Sequence, residues 1–123
     1  MKIEFNIPIV FSLNTYKRVH WGETYKQQRE IDDQVYWEIR KCFKQPVPDH
    51  GFVRMTFTIH YPWELDLVNR WAIVKVIEDA VTKSQLIPDD TPKHSEPVQP
   101  GWVKDKEKYV HVELEVGEKE GGK

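Results

Sequence analysis

Residues 53–61 have the sequence VRMTFTIHY, and this stretch decides the fold class. Its apolar side chains stand at every second position, and arginine, threonine and histidine stand between them. A period of two is that of a β-strand with one face toward a core and the other toward solvent. Because a slip of one residue would turn every apolar side chain to solvent, the register of this strand in its sheet is firmly set.

Alternating segments at both ends of the chain supply partners for this strand. Residues 2–9 alternate isoleucine and phenylalanine with polar residues, and residues 110–116 alternate valine and leucine with histidine and glutamate. Both patterns predict half-buried strands. Residues 12–22 and 91–108 have no regular period, so we expect loops there, the second with a short strand near Trp102.

Two segments between the strands carry a helical period. The first has apolar residues at every fourth position, namely Ile31, Val35, Ile39 and Phe43. Thr24 and Gln27 before them resemble a capping box, which predicts a helix start. The second helix is expected from about Asn69 to Gln85, with Pro88 just beyond its end. The chain is therefore predicted to be an α+β protein of order β-α-β-α-β, with two helices on one face of a small, mostly antiparallel sheet.

Length and composition favour one intracellular domain. The 123 residues fit a single unit over residues 1–117, with residues 118–123 as a charged, frayed tail. The only cysteine, Cys42, cannot form an internal disulfide, which fits a reducing compartment. No apolar run approaches the roughly 18 residues that a transmembrane helix needs, and no signal-peptide pattern is present. We therefore expect a cytoplasmic protein that does not contact membranes.

Carboxylate residues that could bind a metal ion lie on both sides of the second helix. Residues 64–69 have the sequence ELDLVN, and residues 86–90 have the sequence LIPDD. A helix of about 17 residues spans roughly 25 Å, so Asp66 meets Asp89 and Asp90 only if the later loop folds back along the helix. Two interpretations stay open on spacing alone. The three carboxylates share a metal site, or Asp66 starts the helix while the aspartate pair forms a solvated turn.

These two segments, together with residues 12–14 (SLN) and 20–21 (HW), resemble the RusA-like Holliday-junction resolvases, in a variant common among phage and prophage members. That family carries an Asp-x-Asp-Asn motif, then a helix, then an Asp-Asp pair after a short hydrophobic step. The resemblance extends from about residue 8 to residue 115 and rests on the order and spacing of three segments. It implies a homodimer that cleaves branched double-stranded DNA with Mg²⁺, or with Mn²⁺ in its place.

The resemblance also implies roles for individual residues. Asp66 and Asp90 correspond to metal ligands of the family, with Asp89 beside them, and Asn69 corresponds to the asparagine of the motif. Val68 stands where the family has its second aspartate. Magnesium is usually held by one or two carboxylates together with water and substrate phosphate, so a two-carboxylate site still binds the ion, more weakly. Loss of a ligand should harm cleavage more than binding, because hydrolysis needs the ion fixed relative to the attacking water.

A second register of the motif stays open. An ungapped match anchored on Lys75 places Asn69 and Trp71 where the two aspartates belong, which removes both ligands. Glu64 is a substitute carboxylate in either register. Lys75 would then match a functional lysine of the family and neutralise charge on the phosphate. A solvated helix lysine is an equally good interpretation of the same residue. The expected catalytic set is Asp66, Asp90 and Lys75.

Cations and aromatic residues near the N-terminus predict a DNA-binding surface. Nucleic-acid sites combine cations with side chains on which bases stack. The expected set, with two cations from the motif segments, is Lys17, Arg18, His20, Trp21, Lys26, Arg29, Arg70 and Lys93. An ordinary polar loop is the competing interpretation, and the formal net charge of −2 is unusual for a nucleic-acid-binding protein.

Three functions therefore stay open. The expected one is a Mg²⁺-dependent endonuclease that resolves four-way DNA junctions in recombination and repair. The second is a relative that binds junctions without cleaving them, because Val68 marks a decayed metal site. The third is a small protein-interaction module whose resemblance to the resolvases is fortuitous.

Overall fold

The computed structural model of the chain describes residues 2–9, 21–42, 51–84 and 95–118, and within these it leaves aside the side chains of residues 21–27, 51 and 118. The elements in these ranges are β1 (Lys2–Pro8), α1 (Trp21–Cys42), β2 (Gly51–Tyr61), α2 (Leu67–Lys83), β3 (Ser95–Pro97), β4 (Gly101–Lys104) and β5 (Tyr109–Glu118). The α+β class predicted from the sequence is confirmed, with two helices and a five-stranded sheet in the described part of the chain.

The long strands form an antiparallel core sheet. β5 lies between β1 and β2 and pairs antiparallel with both. Val112 is aligned with Phe5 on one side and with Phe57 on the other. Alternation in all three strands puts one set of side chains in a common interior and the other set on an outer face, as a period of two requires.

The remaining edge of β2 carries two short strands that run parallel to it. β3 pairs with residues 53–55 of β2, and β4 pairs with residues 58–61. Parallel pairing follows from the long connection through α2, which returns the chain to the start of β2 before β3 begins. The sheet is therefore mixed, although its longest pairings are antiparallel as the alternating patterns predict.

Both helices pack on the same side of the sheet. The apolar residues of α1 at Ile31, Val35 and Ile39 join one buried cluster with the interior side chains of β1, β2 and β5. α2 contributes a broader apolar surface to the same cluster, consisting of Ile73, Val74, Val76, Ile77, Ala80 and Val81. The opposite face of the sheet is polar and partly exposed.

Three local expectations from the sequence were wrong. α1 begins at Trp21, so Thr24 and Gln27 lie inside the helix and do not form its capping box. β3 forms in residues 95–97, where a loop was expected. Glu118, assigned to the tail, is the last residue of β5, whereas residues 119–123 lie outside the described residues.

The short strand expected near Trp102 is present as β4. α2 begins two residues earlier than expected, because Asp66 caps it. Neither described helix combines the length and hydropathy needed to cross a bilayer.

The central position of β2 gives a direct test of this core. Phe57 is fully buried, so Phe57→Ala is expected to lower the free energy of unfolding by about 3–5 kcal/mol. Thr58→Ala, at the next position and on the outer face, should cost well under half as much. Urea denaturation of both variants checks this, and equal losses would contradict the assignment of the two faces.

Candidate functional site

The turn from β2 into α2 holds the first predicted site residue, Asp66. Its backbone is extended, and its side-chain Oδ1 accepts a hydrogen bond from the amide of Asn69 at 2.8 Å. This is N-cap geometry, in which a carboxylate satisfies an otherwise unpaired amide of the first turn. The sequence expectation that Asp66 starts the helix is thus borne out. The cap uses one carboxylate oxygen and leaves the side chain exposed at the surface.

Arg70 holds the segment that precedes this cap. Its Nε donates to the carbonyl of Leu65 at 2.8 Å, and its Nη1 donates to the carbonyl of Pro100 at 3.4 Å. Its Nη2 lies 3.3 Å from the carboxylate of Glu64. With a side chain only 17% exposed, Arg70 ties the start of α2 to the chain entering β4. It thereby links Leu65, the residue before Asp66, to Pro100.

Glu64, Asp66 and Arg70 together form what we call the α2-start cluster. The carboxylate of Glu64 is 69% exposed, and that of Asp66 is also open to solvent. Two exposed carboxylates two residues apart offer the oxygen ligands that Mg²⁺ prefers. The adjoining amide groups of the helix N-terminus favour an anion such as a phosphate. A hard cation and a phosphate group are therefore both compatible with this surface.

Val68 lies in the first turn of α2, where the family resemblance places a second aspartate. Its side chain is 74% exposed, and Leu67 beside it is also exposed. The valine makes no contribution to the core, and a carboxylate at this position would meet solvent. An apolar side chain cannot ligate a metal, so the cluster has no third carboxylate at this position.

Lys75 lies away from the α2-start cluster. It follows Asp66 by nine residues, which corresponds to roughly 13 Å of helix rise and about half a turn of rotation. Its ammonium group pairs with the carboxylate of Asp79 at 3.1 Å on the exposed surface of α2. The structure does not bring Lys75 and Asp66 together.

Six of the other predicted site residues lie outside the described parts of the chain. Asp89, Asp90 and Lys93 lie outside the described residues, as do Lys17, Arg18 and His20, so the meeting of Asp66 with the aspartate pair stays a prediction. Trp21 and Lys26 lie on the first turns of α1, among the residues for which only the backbone is described. Arg29 is on the same helix with an exposed side chain.

The outer face of the sheet holds a group that the sequence did not single out. His60 Nδ1 lies 3.1 Å from Asp105 Oδ2, and its ring stacks on Tyr109 with centroids 4.2 Å apart. The backbone amide of Glu107 donates to Asp105 and, with the hydrogen bond from His60, lowers the pKa of Asp105. Burial, assisted by the charges of Asp105 and Glu107, raises the pKa of Tyr109.

An aromatic patch lies next to the α2-start cluster. The ring of Trp63 packs edge-on against Tyr61 at 4.8 Å, and the ammonium group of Lys108 lies over both rings. Trp63 is more than half exposed. Tyr61 is buried, so the exposed part of this patch is the indole ring of Trp63 with Lys108 beside it, and such a pair is compatible with base stacking.

A second outer-face group unites Glu4, His111 and Glu113, whose potential ligand atoms all lie within 4.8 Å of one another. The sequence showed these residues only as outward positions of alternating strands. Their proximity depends on which residues of β1 and β5 are paired, and alternation alone does not reveal that register.

Comparisons with known proteins do not assign a function to these clusters. No family model matches the sequence, and no curated protein matches it. Among solved structures, the chain is similar to thiamine monophosphate kinase from Aquifex aeolicus, with 13% sequence identity and a TM-score of 0.42. The match covers 97% of this chain and 32% of that one, so the chain spans about a third of the kinase. A likeness at this level carries no argument about function.

The environment of Asp105 predicts a pH dependence of stability. Its folded-state pKa is lowered from 3.8, so its contribution to stability is present above that value and is lost as pH falls through the folded pKa. Asp105→Asn keeps an oxygen for the Glu107 amide but does not titrate. We expect the urea midpoint of this variant to fall less steeply below pH 4 than that of the unaltered chain, with both folded at pH 7. Equal slopes would contradict the assignment.

Proposed function

We propose that the protein is a Mg²⁺-dependent, structure-specific endodeoxyribonuclease of the RusA-like kind that cleaves four-way DNA junctions. The observation that carries the proposal is the α2-start cluster, which presents two exposed carboxylates on a segment held by Arg70 and by the helix cap. Support also comes from the family resemblance of the sequence on both sides of the helix.

The chemical character of the cluster fits a magnesium ion. All of its acidic ligand atoms are oxygens, and Asp66 is fixed by its hydrogen bond to the Asn69 amide. Glu64, whose exposed carboxylate pairs with Arg70, is the substitute that we propose for the aspartate that Val68 replaces. Bound magnesium would supply Lewis-acid activation of a phosphodiester and of the attacking water.

The residues of the chain then have distinct tasks. Asp66 and Glu64 supply negative ligands, and Asp90 would complete the set if the segment that follows α2 returns to the helix start. Arg70 is a positioning residue, because its bonds to the carbonyl groups of Leu65 and Pro100 connect the backbone that carries the carboxylates to the chain entering β4. The amides of the α2 N-terminus favour a phosphate at the same place.

DNA contacts would come from the aromatic patch and from the N-terminal cations. Trp63 with Lys108 above its ring provides a stacking surface adjacent to the carboxylates. The expected set around Lys17, Arg18 and Lys26 would add phosphate contacts. A homodimer would place two such sites on two strands of a roughly two-fold symmetric junction. Among the described residues β1 is an edge strand, and edge strands are a common place for a second chain to pair.

Val68 favours one alternative, a relative that binds junctions without cutting them. Weak binding of the ion and poor fixation of the attacking water both follow from a missing ligand. A protein-interaction module, the third possibility, predicts no salt-dependent affinity for DNA.

The first test is the substitution Asp66→Asn, which removes the charge and retains a good helix cap. On a synthetic four-way junction, we expect Mg²⁺-dependent cleavage by the unaltered chain and at least about a hundredfold loss in the variant, equivalent to about 2.7 kcal/mol in the barrier. Stability should change little, whereas Asp66→Ala should lose about 0.5–2 kcal/mol from the missing cap.

Glu96→Gln is the matched control for that test, since Glu96 is an exposed carboxylate on β3 that pairs with Arg54. It should cleave at the unaltered rate. Junction binding in EDTA without cleavage in Mg²⁺ would establish the non-catalytic relative. Absence of binding at low salt would exclude both nucleic-acid functions.

A gain-of-function substitution tests the missing ligand. Val68→Asp restores a carboxylate at an exposed position in the first turn of α2, where negative charge stabilises a helix by about 0.3–1 kcal/mol. We expect faster Mg²⁺-dependent cleavage and an unchanged or slightly higher melting temperature. Val68→Asn, similar in shape and uncharged, should give no gain in rate. If instead Asn69→Asp gave the gain, the ungapped register would be the correct one.

A further inference from the structure

The outer face of β1 and β5 brings together an imidazole and two carboxylates. Glu4 is directly opposite Glu113 in the pairing of these strands, and His111 occupies the preceding outward position of β5. All three side chains point away from the helices, since Phe5 and Val112 between them are buried in the core. The group sits on paired strands, which hold ligands more rigidly than loops do.

The distances within this group suit a metal ion. His111 Nε2 lies 3.6 Å from an oxygen of Glu4 and 3.6 Å from an oxygen of Glu113. Ligands about 2.1 Å from a tetrahedral zinc ion are separated by roughly 3.4 Å. Small rotations of partly exposed side chains would bring all three atoms into a common coordination sphere.

Asn6 orients the imidazole toward the two carboxylates. Its side-chain Oδ1 lies 2.7 Å from His111 Nδ1, and an amide oxygen only accepts, so the proton belongs on Nδ1. In the neutral imidazole Nε2 then carries the lone pair and faces the two glutamates. A ligating histidine in proteins typically donates its other N–H to an oxygen acceptor, and Asn6 occupies that role here.

The pairing of charges also favours a cation between the strands. Like charges directly opposite each other in an antiparallel pair destabilise it, and Glu4 faces Glu113 in that way. Lys2 lies 3.7 Å from Oε2 of Glu113, so it approaches the oxygen that is turned away from His111. The oxygens facing the imidazole remain available to a metal ion.

We propose that Glu4, His111 and Glu113 form a binding site for a divalent transition-metal ion, with Zn²⁺ as the favoured occupant. Imidazole with carboxylates suits zinc, cobalt and nickel, whereas magnesium prefers oxygen ligands alone. Three protein ligands leave one coordination position open to water or to an incoming donor. The site is on the sheet face opposite the helices, so it does not depend on the proposed nuclease activity.

The test is titration of the full chain with Zn²⁺ in excess Mg²⁺, followed by calorimetry, with Cys42→Ser as the background because Cys42 is exposed. We expect saturable binding of one ion per chain and a higher melting temperature with zinc. Glu4→Gln and His111→Ala should abolish this binding. Asn6→Ala should weaken it about 10–100-fold, because it frees the orientation of the ring. Co²⁺ gives a second readout, since ligation by His111 changes its visible absorption.

Glu115→Gln is the matched control, as Glu115 is the next outward carboxylate of β5 and does not belong to the group. It should bind zinc as the background chain does. The proposal would be overturned if the Cys42→Ser chain showed no saturable binding of zinc, or if adding Glu4→Gln left its affinity for zinc unchanged. Glu4→Gln and Glu115→Gln both change residues on the outer surface of the sheet, so circular dichroism should show an unchanged fold.

Discussion

The alignment of β5 between β1 and β2 is the constraint on which the rest of the structure depends. With Val112 aligned with Phe5 and Phe57, every interior side chain of the three strands falls on the face covered by the helices. A shift of one residue in either pairing would put glutamate and histidine against α1 and α2. Because burying an unpaired charge is far more costly than losing a few cross-strand contacts, this register is selected by the core itself. The same alignment fixes which polar residues meet on the outer face.

Sequence patterns were sufficient for the architecture that this constraint produces. The alternation in residues 53–61 and the four-residue spacing from Ile31 to Ile39 directly reflect burial, and a strand and a helix formed over these residues, although the helix begins earlier than predicted. Local sequence motifs that do not reflect burial predicted the ends of elements less well. Thr24 and Gln27 match a capping box in type and spacing, yet α1 already runs through them. β3 could not be predicted, because a three-residue strand depends on the exposed edge of β2 and not on its own sequence.

In the α2-start cluster, too, contacts between residues close in sequence could be predicted, whereas contacts between distant residues could not. The cap by Asp66 spans three residues, so it could be recognised from the sequence. The anchoring of Arg70 involves Pro100, thirty residues later, and requires the parallel return of the chain along β2. His111 and Asn6 are even further apart in the chain and meet only through the β1–β5 pairing. Residues of this kind were interpreted correctly as strand residues, but their chemistry depended on a register that periodicity does not encode.

The two proposed sites differ in the physical means by which their ligands are held. At the start of α2, the Asp66 carboxylate already serves the helix cap, so any cation there competes with the positive end of the helix for the same charge. The proposed magnesium ion keeps much of its water and needs few protein ligands, so it is compatible with that competition. On the sheet face, by contrast, the proposed ligands come from two paired strands, and one of them is an imidazole whose Nδ1 lies 2.7 Å from Asn6 Oδ1. A softer ion that exchanges water for nitrogen gains more from such a preformed arrangement. In both proposals the choice of ion therefore rests on where the backbone places each donor atom.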